Sequence, residues 1–164
     1  MAKPLMLLPF VHGIDIPALS CALSFAQETD ATLLLVSLIR LSQGSKRRGI
    51  RPEAVAQAHD FFEVMAHKAE RAGVATRRVQ LSTQRVPRSI KALAQEMACA
   101  GVLLFVRDGT GVLLETSDIK QLLEQPAQPV YLFRLAPRKS LFSLAGAALA
   151  RWFRPLLRWN PASF

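Results

Sequence analysis

Residues Gly101–Arg134 read GVLLFVRDGTGVLLETSDIKQLLEQPAQPVYLFR. The stretch divides into strand, loop, helix and strand. Gly101–Asp108 is a short apolar run with β-branched and aromatic content, too short for a helix. Gly109 and Gly111 make a loop that can take positive φ and let a ligand approach the backbone. Thr116, Ser117 and Asp118 are N-cap candidates, so a helix is expected to begin there. Pro126 and Pro129 end it, and Val130–Leu135 supplies the next strand. Such a unit puts backbone N–H groups and a helix N-terminus at the carboxyl end of a parallel sheet, where anions and nucleotides bind.

The chain before this unit alternates in the same way. Pro4–Val11 reads as the first strand, and His12, Gly13, Ile14 and Asp15 as a turn. Pro17 suits the first position of a helix, which continues through Ala18–Glu28 with Leu19, Ala22, Phe25 and Ala26 at helical spacing. Ala31–Leu41 is a long apolar strand, as expected for burial on both faces. Ser42–Arg51 is polar, glycine-punctuated and basic, hence a loop. Pro52–Ala72 makes a long helix with an apolar stripe of Val55, His59, Phe62, Ala66 and Ala69, with Phe61 and Met65 beside it, stopped by Gly73. A third strand over Val74–Leu81 and a helix over Pro87–Ala100, striped by Ile90, Leu93, Ala94 and Met97, complete the series. The order βαβαβαβαβ predicts an open α/β parallel sheet with right-handed crossovers. It occupies residues 1–136, and residues 137–164 form a basic amphipathic extension.

A length of 164 residues suits one domain plus an appendage, and 51% hydrophobic with 20% charged residues supports a real core. The net charge is +9, which favours anionic partners without specifying a fold. Cys21 and Cys99 are each expected in a helix, buried and reduced, which suits a cytoplasmic protein. His59 and His67 lie eight residues apart on one helix, beyond the i, i+4 spacing of a chelating pair, so no metal site is expected. No nucleophile–base arrangement emerges from the spacing, so an enzyme is not expected. The start, MAKPLMLLPF, lacks the apolar region and cleavage site of a signal peptide. The basic groups Lys46, Arg47, Arg48 and Arg51, and Arg77, Arg78, Arg85 and Arg88, have no interleaved aromatics for base stacking. They read as solvated charge, and nucleic acid is not the expected partner.

The end of the chain is its most distinctive part. From Arg134 onward there are six basic residues and no acidic one. On a helical projection Leu141, Leu144, Ala145, Ala148, Leu149 and Trp152 share one side, flanked by Phe142 and Phe153, with Arg151 and Arg154 opposite. Pro155 kinks or ends this helix. If the helix continues, Trp159 falls under Trp152 and Arg158 near Arg154. The pattern fits a helix in the interface of an anionic membrane and equally one docked in a groove on a protein partner.

The first strand with its proline (LMLLPF), the helix PALSCALSFAQ, the strand ATLLLVSL, the helix end HKAERAGV, and GVLLFVRDGTG through QPAQPVYLF resemble the universal stress protein family over about residues 4–135. The resemblance implies a five-stranded sheet of order 3-2-1-4-5 with helices on both faces, homodimerisation through the last strand, and a sensing or regulatory role. In many members it also implies bound ATP. ATP-binding members end the first strand in an Asp, where this chain has Val11 or His12. They also carry a Gly, two residues, Gly, about nine residues, then Gly and Ser or Thr, a loop whose amides hold phosphates. Here Gly109 and Gly111 are one residue apart, and four residues separate Gly111 from Thr116 and Ser117.

Two functional expectations follow. One is a non-catalytic adaptor or regulatory subunit with no cofactor. It is held on a larger complex or at the cytoplasmic face of a membrane by Leu141, Phe142, Leu144, Leu149, Arg151, Trp152, Phe153, Arg154, Arg158 and Trp159. The other is a stress sensor binding ATP or AMP at His12, Asp15, Asp108, Gly109, Gly111 and Ser117.

Overall fold

The computed structural model describes residues 2–42 and 49–138, and the backbone of residues 155–159. Its elements are β1 (Leu5–Phe10), α1 (Ile16–Glu28), β2 (Thr32–Arg40), α2 (Pro52–Ala72), β3 (Thr76–Thr83), α3 (Val86–Glu96), β4 (Gly101–Arg107), β5 (Thr110–Val112), α4 (Thr116–Glu124), β6 (Val130–Arg134) and β7 (Pro155–Trp159). The sheet order is β3-β2-β1-β4-β6-β7, with β5 paired to β4. Strands β1, β2, β3, β4 and β6 run parallel, giving the expected 3-2-1-4-5 arrangement once β6 is counted as the fifth parallel strand.

Unbroken apolar runs build the sheet centre because both faces are covered. Along β2, Leu33 and Leu35 face the layer of α1 and α2, while Leu34, Val36 and Leu38 face that of α3 and α4. Phe10 of β1 stacks on Phe61 of α2, ring centroids 4.3 Å apart. The buried side of α2 is Ala58, Phe61, Phe62, Met65 and Ala69, whereas Val55 is 41% exposed and His59 points to solvent. The stripe expected from Val55 and His59 is therefore rotated, because Phe61 and Met65 bury more apolar area than the positions they displace. Gly73 ends the helix in the left-handed conformation, φ 67°.

Two features depart from the sequence pattern. Thr110–Val112, expected as loop, is a strand antiparallel to β4, with Arg107 opposite Thr110. The two linking residues, Asp108 and Gly109, have φ of 51° and 76°. Positive φ at both positions is the geometry of the tight hairpin turn that an Asp-Gly pair favours. In the tail, Pro155–Trp159 is a strand antiparallel to β6, with Trp159 opposite Val130. Helical continuation past Pro155 is thus corrected. Arg158 and Trp159 belong to an extended strand, which a proline can open at a sheet edge because no ladder donor is needed there. The helix expected over Leu141, Phe142, Leu144, Leu149, Arg151, Trp152, Phe153 and Arg154 lies outside the described residues. So does the basic run Lys46–Arg48.

Candidate functional site

In an open parallel sheet, ligands enter the crevice at the carboxyl ends of the strands where the order reverses, here between β1 and β4. The ladder between these strands is only two pairs long, Met6 to Gly101 and Leu7 to Val102. The reason lies in β4. One of its edges is taken by β6 over Val102–Val106. Since a strand has two edges, β5, paired to Phe105–Arg107, must occupy the edge that faces β1. The hairpin thus enters the opening between β1 and β4. Beyond β5, the Leu113 carbonyl accepts hydrogen bonds from the Val11 N–H (2.8 Å) and the His12 N–H (3.3 Å). Leu113 and Leu114 are 2% and 1% exposed, and they enter the two core layers on opposite faces of the sheet.

The candidate residues of this region are placed accordingly. The Gly111 N–H donates to Thr116 Oγ1 at 2.8 Å, and a Cβ at Gly111 would meet the Leu114 carbonyl oxygen and come within 2.9 Å of the Thr116 nitrogen. Asp108 and Gly109 form the exposed tip of the hairpin. Ser117 is exposed in the first turn of α4, whose N-cap is Glu115. His12 is exposed.

Asp15 is different, being buried at 5% exposure. It N-caps α1, accepting from the Ala18 N–H at 3.0 Å. Its carboxylate also takes both guanidinium arms of Arg107, which is 10% exposed, and lies 3.4 Å from Arg138. Arg107 Nε donates to the Ala136 carbonyl at 3.0 Å. One carboxylate thereby ties α1, β4 and the segment after β6. Burial alone would raise the Asp15 carboxyl, but the Arg107 and Ala18 hydrogen bonds and the Arg107 charge outweigh it and hold it below the usual carboxylate value. The same partner raises Arg107.

A cavity of about 470 Å³ opens beside the switch point, beyond the carboxyl ends of β2 and β3. Its walls come from the end of β2 (Arg40), the β3–α3 turn and first turns of α3 (Gln84 to Lys91), and α4 (Asp118, Gln121). Arg40 Nη2 lies 2.5 Å from Asp118 Oδ2 and 3.8 Å from Glu115 Oε2. Asp118 is buried, and desolvation, reinforced by Glu115, raises its pKa despite the opposing pull of Arg40 and His12. Lys91 Nζ donates to the Gln121 carbonyl at 3.3 Å, bridging α3 and α4. Arg85 and Arg88, expected as solvated charge, line this cavity, whereas Arg78 lies over the Phe62 ring and 3.6 Å from Glu63. Sequence reasoning offered Asp118 only as an N-cap candidate and did not single out Arg40 or Arg107. The available signals were an arginine ending each of two apolar strands and an acidic residue in the first turn of a helix.

Among the described residues no group of three His, Cys, Asp or Glu side chains gathers to hold a metal, and no helix is long and apolar enough to cross a membrane. Both cysteines are free and buried. Desolvation, with a contribution from Glu28, pushes Cys21 up to about 12, and Cys99, which lies just past the end of α3, is also raised by burial.

The same overall fold recurs in solved structures. The fold is that of the universal stress proteins. A universal stress protein family member from Burkholderia pseudomallei shares 17% identity over 79% of this chain and 95% of its own, with TM-score 0.58. A universal stress protein from Archaeoglobus fulgidus, solved in complex with dAMP, shares 15% over 80% and 97%, with TM-score 0.59. A universal stress family protein from Arabidopsis thaliana, solved with AMP bound, shares 13% over 80% and 92%, with TM-score 0.56. No protein-family profile and no curated protein sequence matches the chain. Between β1 and β4, several groups that could face a phosphate are engaged within the chain. The Gly111 amide is engaged by Thr116, the Leu113 carbonyl holds the amides at the end of β1, and β5 fills the edge of β4.

Proposed function

We propose that this protein is a non-catalytic regulatory module on the universal-stress fold, acting through attachment to a partner and not through ATP held at the switch point. The observation that supports this reading is the insertion of β5 and the Leu113 carbonyl between the ends of β1 and β4. A crevice entered by the chain's own backbone, with the Gly111 N–H given to Thr116 and the Val11 and His12 N–H groups given to Leu113, offers fewer amides to a triphosphate. In this reading the attaching segment follows residue 137. It carries Arg138, Lys139, Arg151, Arg154 and Arg158, no acidic residue, and both tryptophans of the protein. Trp and Arg are the residues that most often anchor an interface, and Trp with basic neighbours also suits a membrane surface. A cytoplasmic place at a membrane-bound complex, with or without homodimerisation, is part of the same proposal.

The test compares the full-length protein with its Trp152→Ala, Trp159→Ala double variant, in co-sedimentation with anionic liposomes and in pull-down from a native membrane extract. Loss of either binding in the variant supports attachment through the tail, and unchanged behaviour in both assays refutes it. The AMP and dAMP complexes of proteins with this fold favour a second reading, a nucleotide-binding stress sensor using His12, Asp15, Asp108, Gly109, Gly111 and Ser117. Titration with ATP separates the two. Tight binding lost on Ser117→Ala would establish the sensor at the switch point.

A further inference from the structure

The two ends of the sheet are protected differently. At one end β3 pairs with β2 along all eight of its residues, and it carries Arg77 and Arg78, both exposed. Charged side chains on an edge strand discourage pairing with another chain, because an incoming strand would have to bury them. At the other end β6 reads VYLFR, with no proline and no charge before Arg134. Half-buried apolar side chains flank it on both faces of the sheet, Phe25 and Tyr131 on the side of α1 and α2, Leu123 and Leu132 on the side of α3 and α4. The backbone of β6 adds to this. The Leu135 N–H donates to the Val106 carbonyl of β4 at 2.8 Å. Successive N–H groups along a strand point to alternate edges, so those of Leu132 and Arg134 face away from β4. Left bare, this edge would offer unpaired backbone groups between apolar side chains, the form of edge that recruits a further strand.

The strand that meets it is β7, antiparallel, with Trp159 opposite Val130, Arg158 opposite Tyr131 and Pro155 opposite Phe133. We infer that β7 is a removable cover, which holds the β6 edge closed against a second copy of this chain until the tail is withdrawn. The β6–β7 ladder suits that role. It is short and shifts register between Tyr131 and Phe133, whereas the β2–β3 ladder runs unbroken through eight pairs. It therefore opens at less cost. The exposed edge is also self-complementary. Antiparallel pairing of two β6 strands about Leu132 sets Tyr131 opposite Phe133 of the other copy, an aromatic pair, and Arg134 opposite Val130, which keeps like charges apart. The same patch is used on both copies, so the contact closes as a two-fold dimer. The dimer through the last strand that the resemblance implies is thus withheld in this chain by its own tail. The link to a partner rests on the attachment reading above: a partner that takes the tail would release the β6 edge in the same event. The cover itself does not depend on that reading.

The experiment is sedimentation velocity on the purified full-length protein and its Arg158→Pro, Trp159→Pro double variant, over a range of concentrations. Adjacent prolines remove two successive N–H groups, one of which faces β6. The wild type is expected to remain a monomer and the variant to dimerise, with an association constant at least about tenfold higher. Adding Leu132→Lys to the variant should restore the monomer, because two ammonium groups would then lie opposite each other at the two-fold axis. A variant that stays monomeric overturns the inference, as does a wild type that dimerises equally well. A dimer indifferent to Leu132→Lys overturns it too, since the contact would lie elsewhere, and so does association without limit in place of a closed pair. Loss of the folded body in the double variant, seen by far-UV circular dichroism, would make β7 an integral strand and not a cover. The assay uses neither liposomes nor extract. Failure of tail attachment therefore leaves a positive result here standing, and failure here leaves attachment standing.

Discussion

Replacing Asp15 separates two jobs that one carboxylate performs. Asp15→Ala removes the cap of α1, a loss of about 1 kcal/mol, because the Ala18 N–H loses its acceptor. It also leaves Arg107, only 10% exposed, without its carboxylate. Breaking a buried ion pair from one side costs about 3–5 kcal/mol, and the low end applies because Arg107 keeps the Ala136 carbonyl. The expected total is about 4 kcal/mol. Asp15→Asn keeps a good cap and one acceptor for Arg107 but loses the charge, so about 2 kcal/mol is expected. In urea unfolding at pH 7, with a slope of about 2 kcal/mol per M, the alanine variant should move the midpoint down by about 2 M and the asparagine variant by about half that. Equal midpoints for the two variants would refute the capping role. A shift under about 0.5 M for Asp15→Ala would refute the claim that the pair matters to stability. The pH dependence has a definite sign. The folded pKa of Asp15 lies below the ordinary 3.8, so its contribution is present above 3.8 and is lost as pH falls through the lower folded value.

Four further outcomes are expected. Gly109→Ala, at φ 76° with open space around its Cβ, should cost about 1 kcal/mol from backbone strain. Gly111→Ala should cost clearly more in the same denaturation assay, because its Cβ meets backbone that cannot swing aside. Asp118 has a folded pKa above 3.8, so its contribution is full below 3.8 and is lost as pH rises through the folded value. Asp118→Asn should therefore remove a decline in stability just above pH 3.8, measured as the urea midpoint across pH 3.5 to 6. Cys21 and Cys99, buried and with raised pKa, should resist alkylation by iodoacetamide at pH 8 until the protein is unfolded, as followed by mass spectrometry.

The parallel sheet was legible because apolar runs such as Thr32–Arg40 can only be buried on both faces, and because Pro17, Pro52 and Gly73 punctuate the helices. The switch point was less legible. Asp108-Gly109 is a strong hairpin signal, but the returning strand is three residues long and lacks an alternating pattern. The resemblance drew attention to glycines as phosphate binders, whereas Gly109 serves a turn and Gly111 a close backbone approach. The Asp15–Arg107 pair joins residues 92 positions apart, which no local spacing reveals. The cavity had the same problem. Arg85 and Arg88 look like surface charge until α4 and the end of β2 are placed opposite them.

The β4–β5 hairpin also bears on the order in which the chain folds. Its two strands are joined by a two-residue turn, so they can pair within about 1–10 μs, with almost no loop to close. Pairing β1 with β4 instead joins residues from opposite ends of the domain and carries a larger closure entropy. A hairpin formed first would meet β1 with one edge of β4 already half occupied. The native two-pair ladder would then be set by kinetic precedence as well as by final stability. Slowing the turn with Gly109→Ala should in that case lower the refolding rate more than it raises the unfolding rate, as read from the two arms of a stopped-flow chevron.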